Sequence, residues 1–196
     1  MPSRTVPRRP ADRRNVSGFL PRYTTTAIAL HWLLAVLITA SFLFGLYMVE
    51  LPFSPGRVKL YNWHKWAGIT ILALSALRLL WRLTHRPPAL TVVMPTWQRQ
   101  AAHSTHLLLY ALFFAAPLAG WAYSSAAGFP VVYFGVLQLP DIAPRSPELA
   151  ATLKTTHLTV TYGLAALAVL HVLAALKHQW LSHDRLLERM NPFVRH

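Results

Sequence analysis

Cysteine is absent from the chain. Disulfides, cysteine-ligated iron–sulfur clusters and covalently attached c-type haem are therefore excluded. Acidic residues are scarce as well, with six Asp and Glu against 19 Lys and Arg. Charged residues make up 13% of the 196 residues, where soluble domains have about 25%. Because 54% of the residues are hydrophobic, the composition instead indicates an integral membrane protein.

The net charge of +13 lies mostly outside the apolar runs. This distribution argues against nucleic-acid binding, because a basic surface on a membrane protein reflects its topology and its contact with anionic lipid. Residues 1–22 form a tail rich in Arg and Pro without a packable apolar face, so we expect it to be disordered or to lie on lipid. The apolar run after it is too long for a signal peptide and predicts an uncleaved first span.

Four apolar segments each approach the roughly 20 residues needed to cross the hydrocarbon core. They cover approximately residues 26–49, 64–83, 106–125 and 156–176. We therefore predict an all-α, four-helix membrane bundle within residues 23–183, followed by a tail at 184–196. Pro-bearing linkers separate the segments, and the apolar run at 131–134 predicts that the third linker lies on the membrane surface.

The Lys and Arg residues predict the orientation. Of the 19, 14 lie in the N-terminal tail, around the second linker and at the C-terminus, on one predicted side of the membrane. The other side has five. The positive-inside rule therefore places both termini in the cytoplasm.

The fourth segment carries two histidines, His157 and His171, with no charged residue between Lys154 and Lys177. Fourteen residues return to within about 40° of the same helical face and span about 21 Å along the axis. Ionisable residues inside a span are candidates for function. Two imidazoles on one stripe, one near each side of the bilayer, are suited to a helix that serves two metal centres.

The predicted topology gives each histidine a depth. On the external side His64 of the second segment is the only histidine that could pair with His157. On the cytoplasmic side His171 could pair with His31 of the first segment or with His106 of the third. His85, His103 and His178 lie at or beyond the predicted helix ends, where a solvated histidine is common.

Two pairs of imidazoles fit haem better than other metal groups. A zinc site needs about four ligands close together, and Asp and Glu lie outside the spans, which also disfavours a di-iron carboxylate site. Haem needs only axial ligands from the protein, and bis-imidazole ligation suits electron transfer. A transporter is disfavoured because the spans show no carboxylate and no pair of broken helices.

Three further residues lie on the stripes of these histidines. Gly68 is one turn after His64, and Gly45 is fourteen residues after His31, where a small residue could let a macrocycle approach, although small residues also serve ordinary helix packing. Arg78 lies fourteen residues after His64, at the depth of the cytoplasmic pair. It could bind a haem propionate, or it could simply extend toward the membrane surface.

Several stretches in chain order show a recognisable pattern. They are Arg22-Tyr23-Thr24 and Ala29-Leu30-His31-Trp32; His64-Lys65-Trp66-Ala67-Gly68 and Leu77-Arg78-Leu79-Leu80-Trp81-Arg82-Leu83; Ala102-His103-Ser104-Thr105-His106-Leu107-Leu108-Leu109-Tyr110 and Pro117-Leu118-Ala119-Gly120-Trp121; and the helix with His157 and His171. Over about residues 22–190 the chain resembles the bacterial cytochrome b561 family. The resemblance implies a four-helix protein of the bacterial inner membrane with two b haems. It makes His31 and His171 the ligands of the cytoplasmic haem, and His64 and His157 those of the external haem.

The resemblance also implies electron exchange with the quinone pool, and the chain is similar to the superoxide oxidase branch, in which superoxide reduces ubiquinone. External cations would favour the approach of an anionic donor; the candidates are Arg57, Lys59, Lys65 and Lys154. For quinone, the candidates are His178 and Trp32, with Trp180 nearby. The alternative function is a haem-bearing anchor that relays electrons for a partner dehydrogenase or a periplasmic protein.

Overall fold

Four long helices dominate the computed structural model, which describes residues 21–88, 95–182 and 186–193. The helices are α1 (Thr25–Glu50), α2 (Pro55–Thr84), α3 (Thr96–Ala126) and α4 (Pro147–Trp180), with a hairpin of β1 (Val132–Tyr133) and β2 (Leu137–Gln138) before α4 and a 3-10 helix (Leu186–Met190) after it. All four helices are long and apolar enough to span a membrane. The predicted all-α four-helix membrane bundle is confirmed.

The helices are longer than the predicted spans. α2 begins at Pro55 rather than near His64, and α4 begins at Pro147 rather than near residue 156. Both starts have the same cap, because Ser54 and Ser146 accept a hydrogen bond from the backbone N–H three residues on and a proline follows at the first helical position. Proline is favoured there because a backbone N–H at the first helical position would have no acceptor within the helix, so its absence costs nothing.

The helices follow one another around the bundle. α3 packs most extensively on α4 and α1 on α2, the two pairs meet mainly through α2 and α3, and α1 touches α4 far less. A small core of Leu109, Ala116 and Leu164 joins α3 to α4. Large apolar side chains cover much of the outer surface, such as Val36 and Leu170, each more than half exposed. This outward apolar surface fits contact with lipid.

Residues 21–24, the end of α2, the start of α3 and the 3-10 helix meet at one end of the bundle, called here the N/C end. Arg189 is buried there, with 5% of its surface exposed. Its guanidinium donates hydrogen bonds to the carbonyls of Pro21 (3.0 Å) and Pro88 (2.7 Å) and lies over the ring of Tyr23. One arginine thus joins the described start of the chain, the α2–α3 connection and the C-terminal segment.

The β-hairpin lies at the other end, called here the hairpin end. The indole of Trp66 donates to the carbonyl of Val132 (2.6 Å), and the hydroxyls of Thr70 and Tyr133 are 2.9 Å apart, so α2 holds the first strand. The tip of the hairpin turns through Phe134 and Gly135, both with positive φ. That this segment lies on the membrane surface stays a prediction.

Of the predicted Arg- and Pro-rich tail, residues 1–20 lie outside the described residues, and so do 183–185 and 194–196 of the C-terminal region. The domain limits at 22 and 183, and the placement of the termini in the cytoplasm, stay predictions as well.

Candidate functional site

One pair of histidines lies in the half of the bundle toward the hairpin end. His64 of α2 and His157 of α4 are both half-buried, with ring centroids 6.2 Å apart and ring planes at 78°. Two imidazoles on opposite sides of one metal, with metal–nitrogen distances of about 2 Å, have centroids roughly 6 Å apart. The structure therefore brings these two predicted residues together at a spacing suited to axial ligation.

Hydrogen bonds orient this pair. His157 Nδ1 lies 2.9 Å from the carbonyl oxygen of Ala116. Because a carbonyl can only accept, Nδ1 carries the proton, and Nε2 keeps its lone pair for a metal. His64 Nδ1 lies 3.4 Å from Ser41 Oγ. Partners of this kind fix the tautomer and ring direction of metal-ligating histidines.

Each ring also packs on a glycine of the preceding helix. A Cβ atom placed on Gly45 of α1 would lie 3.3 Å from His64 Cε1, and one placed on Gly120 of α3 would lie 3.0 Å from His157 Cε1. Such contacts are tighter than van der Waals packing allows without displacement. Only glycine leaves both rings where they are.

A second group of histidines lies toward the N/C end. His31 of α1 and His171 of α4 have ring centroids 6.4 Å apart and planes at 72°, close to the values of the first pair. His106 of α3 also contacts His171, with centroids 5.3 Å apart and planes at 64°. The first spacing is the one that leaves room for a metal between two rings. In addition, Nδ1 of His31 is buried and makes no hydrogen bond.

The structure places the other haem candidates differently. Gly68 faces Pro117 of α3, whose Cβ would be 4.0 Å from a Cβ on the glycine. Arg78 is half-buried over the ring of Tyr110, at 5.4 Å, and is near enough to act electrostatically on His31 and His171.

The candidates for quinone and donor binding are partly engaged. The indole of Trp32 donates to the carbonyl of Met190 (2.7 Å), while its ring meets that of His31 at 5.6 Å. Lys65 donates to the carbonyl of Phe129 (3.1 Å), whereas Lys59 lies over Trp63. Three further candidates differ in exposure: His178 is half-buried near the end of α4, Lys154 is exposed on the same helix, and Arg57 is half-buried.

Comparisons with known proteins identify the family. The family model for prokaryotic cytochrome b561 matches residues 22–192. The chain belongs to this family. Cytochrome b561 homolog 2 of Escherichia coli (strain K12) is 33% identical over 170 residues, which cover 86% of this chain and 90% of that protein. The probable superoxide oxidase CybB of Yersinia pestis is 31% identical over 176 residues, covering 87% and 96%.

Membership of the cytochrome b561 family confirms the predicted resemblance. It makes the chain a multi-pass protein of the bacterial inner membrane that takes part in electron transfer, and it implies b-type haem. The residues present fit this cofactor. Two histidine pairs have the spacing of metal ligands, two of the rings pack closely on glycines, and the buried His31 Nδ1 makes no hydrogen bond.

Gly120 is the main site residue that the sequence reasoning missed. The signal was available, because Gly120 follows His106 by the same fourteen residues that separate Gly45 from His31. The same step also separates His64 from Arg78, and His157 from His171. The α1–α2 and α3–α4 pairs thus share one pattern of site positions, in which His106 corresponds to His31. By contrast, the Ala116 carbonyl could be found only from the fold.

Alanine at Gly120 tests the role of this close contact. We expect Gly120→Ala to displace the ring of His157 and to lower the haem content or shift the b-type absorbance, because its Cβ would lie 3.0 Å from the ring. The matched control is Gly163→Ala in α4, where an added Cβ has no heavy atom within 4 Å. The control should keep the spectrum and gain about 0.5–1 kcal/mol of stability. Equal spectra for the two variants would contradict the packing role.

Proposed function

We propose that this member of the family binds two b haems and transfers electrons across the inner membrane between an external donor and ubiquinone. The observation that supports it best is the pair of matched histidine geometries, His64 with His157 and His31 with His171, at two levels of one bundle. Superoxide is the donor that we favour.

Each proposed ligand pair comes from α4 and one other helix. His64 and His157 would hold the haem toward the hairpin end, with their rings packed closely on Gly45 and Gly120. His31 and His171 would hold the other, with Arg78 as the candidate partner of a propionate. When bound, haem supplies reversible one-electron chemistry. Held by two imidazoles, each haem would be suited to electron transfer rather than to oxygen binding.

The distribution of Lys and Arg supports one orientation of the bundle in the membrane. By the positive-inside rule the N/C end faces the cytoplasm, and the pair of His64 and His157 lies toward the outside. An external donor would meet this pair first, and ubiquinone would react near His31 and His171.

Superoxide as donor is supported by cations at the hairpin end and by the similarity to the probable superoxide oxidase CybB. Lys65, next to His64 in sequence, is held by the carbonyl of Phe129, and Lys59 and Lys154 are exposed. The overall reaction balances when two superoxide ions each lose one electron to become dioxygen while one ubiquinone takes both electrons and two protons. Positive charge near the entry would raise the encounter rate of the anion.

Ubiquinone would need an apolar site with a hydrogen-bond donor. Because the Trp32 indole N–H already donates to Met190, Trp32 can offer quinone only its ring, which lies against His31. His178, half-buried near the end of α4, is the other candidate residue.

The second candidate function is an electron-relay anchor for a partner dehydrogenase or a periplasmic protein. The observation that favours it is the exposed apolar surface of the hairpin, where Phe129, Phe134 and Val136 are 68%, 61% and 89% exposed. Exposed apolar patches of this kind mark contacts with proteins or membranes.

Purified protein in detergent with added ubiquinone separates the two functions. We expect it to consume superoxide and reduce ubiquinone in a two-to-one ratio without a partner. Changing Lys59 and Lys154 to Glu should lower the second-order rate with superoxide by roughly three- to tenfold at low salt, with little effect at high salt. Lys177→Glu, a matched change near the N/C end, should leave the rate unchanged. Quinone reduction that requires a co-purified subunit would support the relay function instead.

A further inference from the structure

A cleft with a cavity volume of about 110 Å³, open to solvent, lies at the N/C end between α1, the end of α2 and α3. Four arginines line it, and we call it the arginine pocket: Arg22, Arg78, Arg82 and Arg86. Tyr23, Trp81 and Tyr110 add aromatic rings to its walls. Several guanidiniums in one concave site are suited to binding an anion.

The charges in this pocket have one sign. No Asp or Glu occurs among the described residues that line it. Arg78 and Arg82 both lie over the single ring of Tyr110, at 5.4 and 5.5 Å, so the two guanidiniums share one neighbour. Like charges held this close repel each other, and an anion between them would remove the repulsion.

The walls of the pocket are held by hydrogen bonds and stacking. The indole of Trp81 donates to Thr24 Oγ1 (2.9 Å), which ties α2 to the start of α1. The rings of Trp81 and His85 stack at 3.8 Å. Pro88 lines the pocket, and its carbonyl accepts a hydrogen bond from Arg189. The pocket is therefore preformed, which lowers the entropic cost of binding.

We propose that the arginine pocket binds a phosphate-bearing anion, the headgroup of an anionic phospholipid. Guanidinium forks match the geometry of a phosphate and bind it through paired hydrogen bonds. Basic pockets between helices on the cytoplasmic side of membrane proteins take such headgroups. On the same stretch of α2, Leu80 and Leu83 are 59% and 74% exposed, where acyl chains could pack.

Arg78 is left unchanged in the test because the proposed function gives it to a haem propionate, whereas Arg82 and Arg86 have no role in the haem assignments. The test compares wild-type protein with the variant Arg82→Gln/Arg86→Gln. The matched control is Arg99→Gln, an exposed arginine in the first turn of α3 that does not line the pocket. Native mass spectrometry measures retained lipid while phosphatidylglycerol, phosphatidylcholine or inorganic phosphate is titrated.

We expect wild-type protein and Arg99→Gln to bind one phosphatidylglycerol in preference to phosphatidylcholine. The double variant should bind it roughly 10- to 30-fold more weakly, while keeping the wild-type b-type absorbance. Equal binding by all three proteins would overturn the proposal. So would displacement of the lipid by inorganic phosphate at equal concentration, which would show a site for free phosphate. Loss of haem absorbance with unchanged lipid binding would show that these arginines serve the haem carboxylates.

Discussion

Replacing His157 by leucine is expected to lower the haem content from two per chain to about one. The change removes the only partner that His64 has at its level among the described histidines, and a haem with one axial imidazole there would be held poorly. A reduced-minus-oxidised spectrum with haem quantitation measures the loss, which should remove one b-type component and leave the other. His64→Leu should give the same spectrum as His157→Leu, because each removes half of one ligand pair.

The matched control is His103→Leu, which removes an exposed histidine from α3 without touching either pair. It should keep both components. An unchanged spectrum for His157→Leu would refute the assignment, and a wild-type content other than two haems per chain would refute the proposed architecture.

The second large effect concerns the pair toward the N/C end. As a single change, His31→Leu should remove the b-type component of the haem toward the N/C end and leave the other component. His106→Leu should keep both haems and change the midpoint potential or the band position of the haem toward the N/C end. The reason is geometric, since the rings of His31 and His171 are 6.4 Å apart, and those of His106 and His171 only 5.3 Å. Redox titration of the two variants side by side measures both quantities.

The opposite result, loss of haem from His106→Leu and retention in His31→Leu, would make His106 the ligand. The same fourteen-residue spacing occurs in both helix pairs, α1–α2 and α3–α4. His106 holds in the α3–α4 pair the place that His31 holds in the α1–α2 pair, while Arg78 holds the place of His171. The sequence pattern is therefore compatible with either His31 or His106 as the partner of His171. The distances between ring centroids favour His31.

The fold could be predicted because membrane helices depend on local composition. Four long apolar runs indicate four helices whatever their packing. The pairing of His64 with His157 could also be predicted. Successive helices cross the membrane in opposite directions, and this places only these two histidines, on two different helices, at the predicted external level. The choice between His31 and His106 could not be made from depth alone, since both lie at the level of His171.

Other features depend on contacts that sequence patterns do not encode. The helices α2 and α4 begin at the caps Ser54 and Ser146, before the apolar runs start. Hydropathy identifies only the residues that lie in the hydrocarbon core, so it does not predict these extra turns. The Ala116 carbonyl that orients His157 is a backbone group, which every residue has. Lys65 seemed available to an external donor by sequence, yet the fold brings the Phe129 carbonyl to its ammonium group.

The position of Arg189 has a consequence for biosynthesis. The residues that close the N/C end leave the ribosome only after all four long helices have been made. Until then the first helix lacks the acceptor for its Trp32 indole, and the carbonyls of Pro21 and Pro88 lack their donor. A nascent chain that ends before residue 186 would have all four long helices and all four proposed ligands, but it would lack the hydrogen bonds that join Trp32, Pro21 and Pro88 to the C-terminal segment.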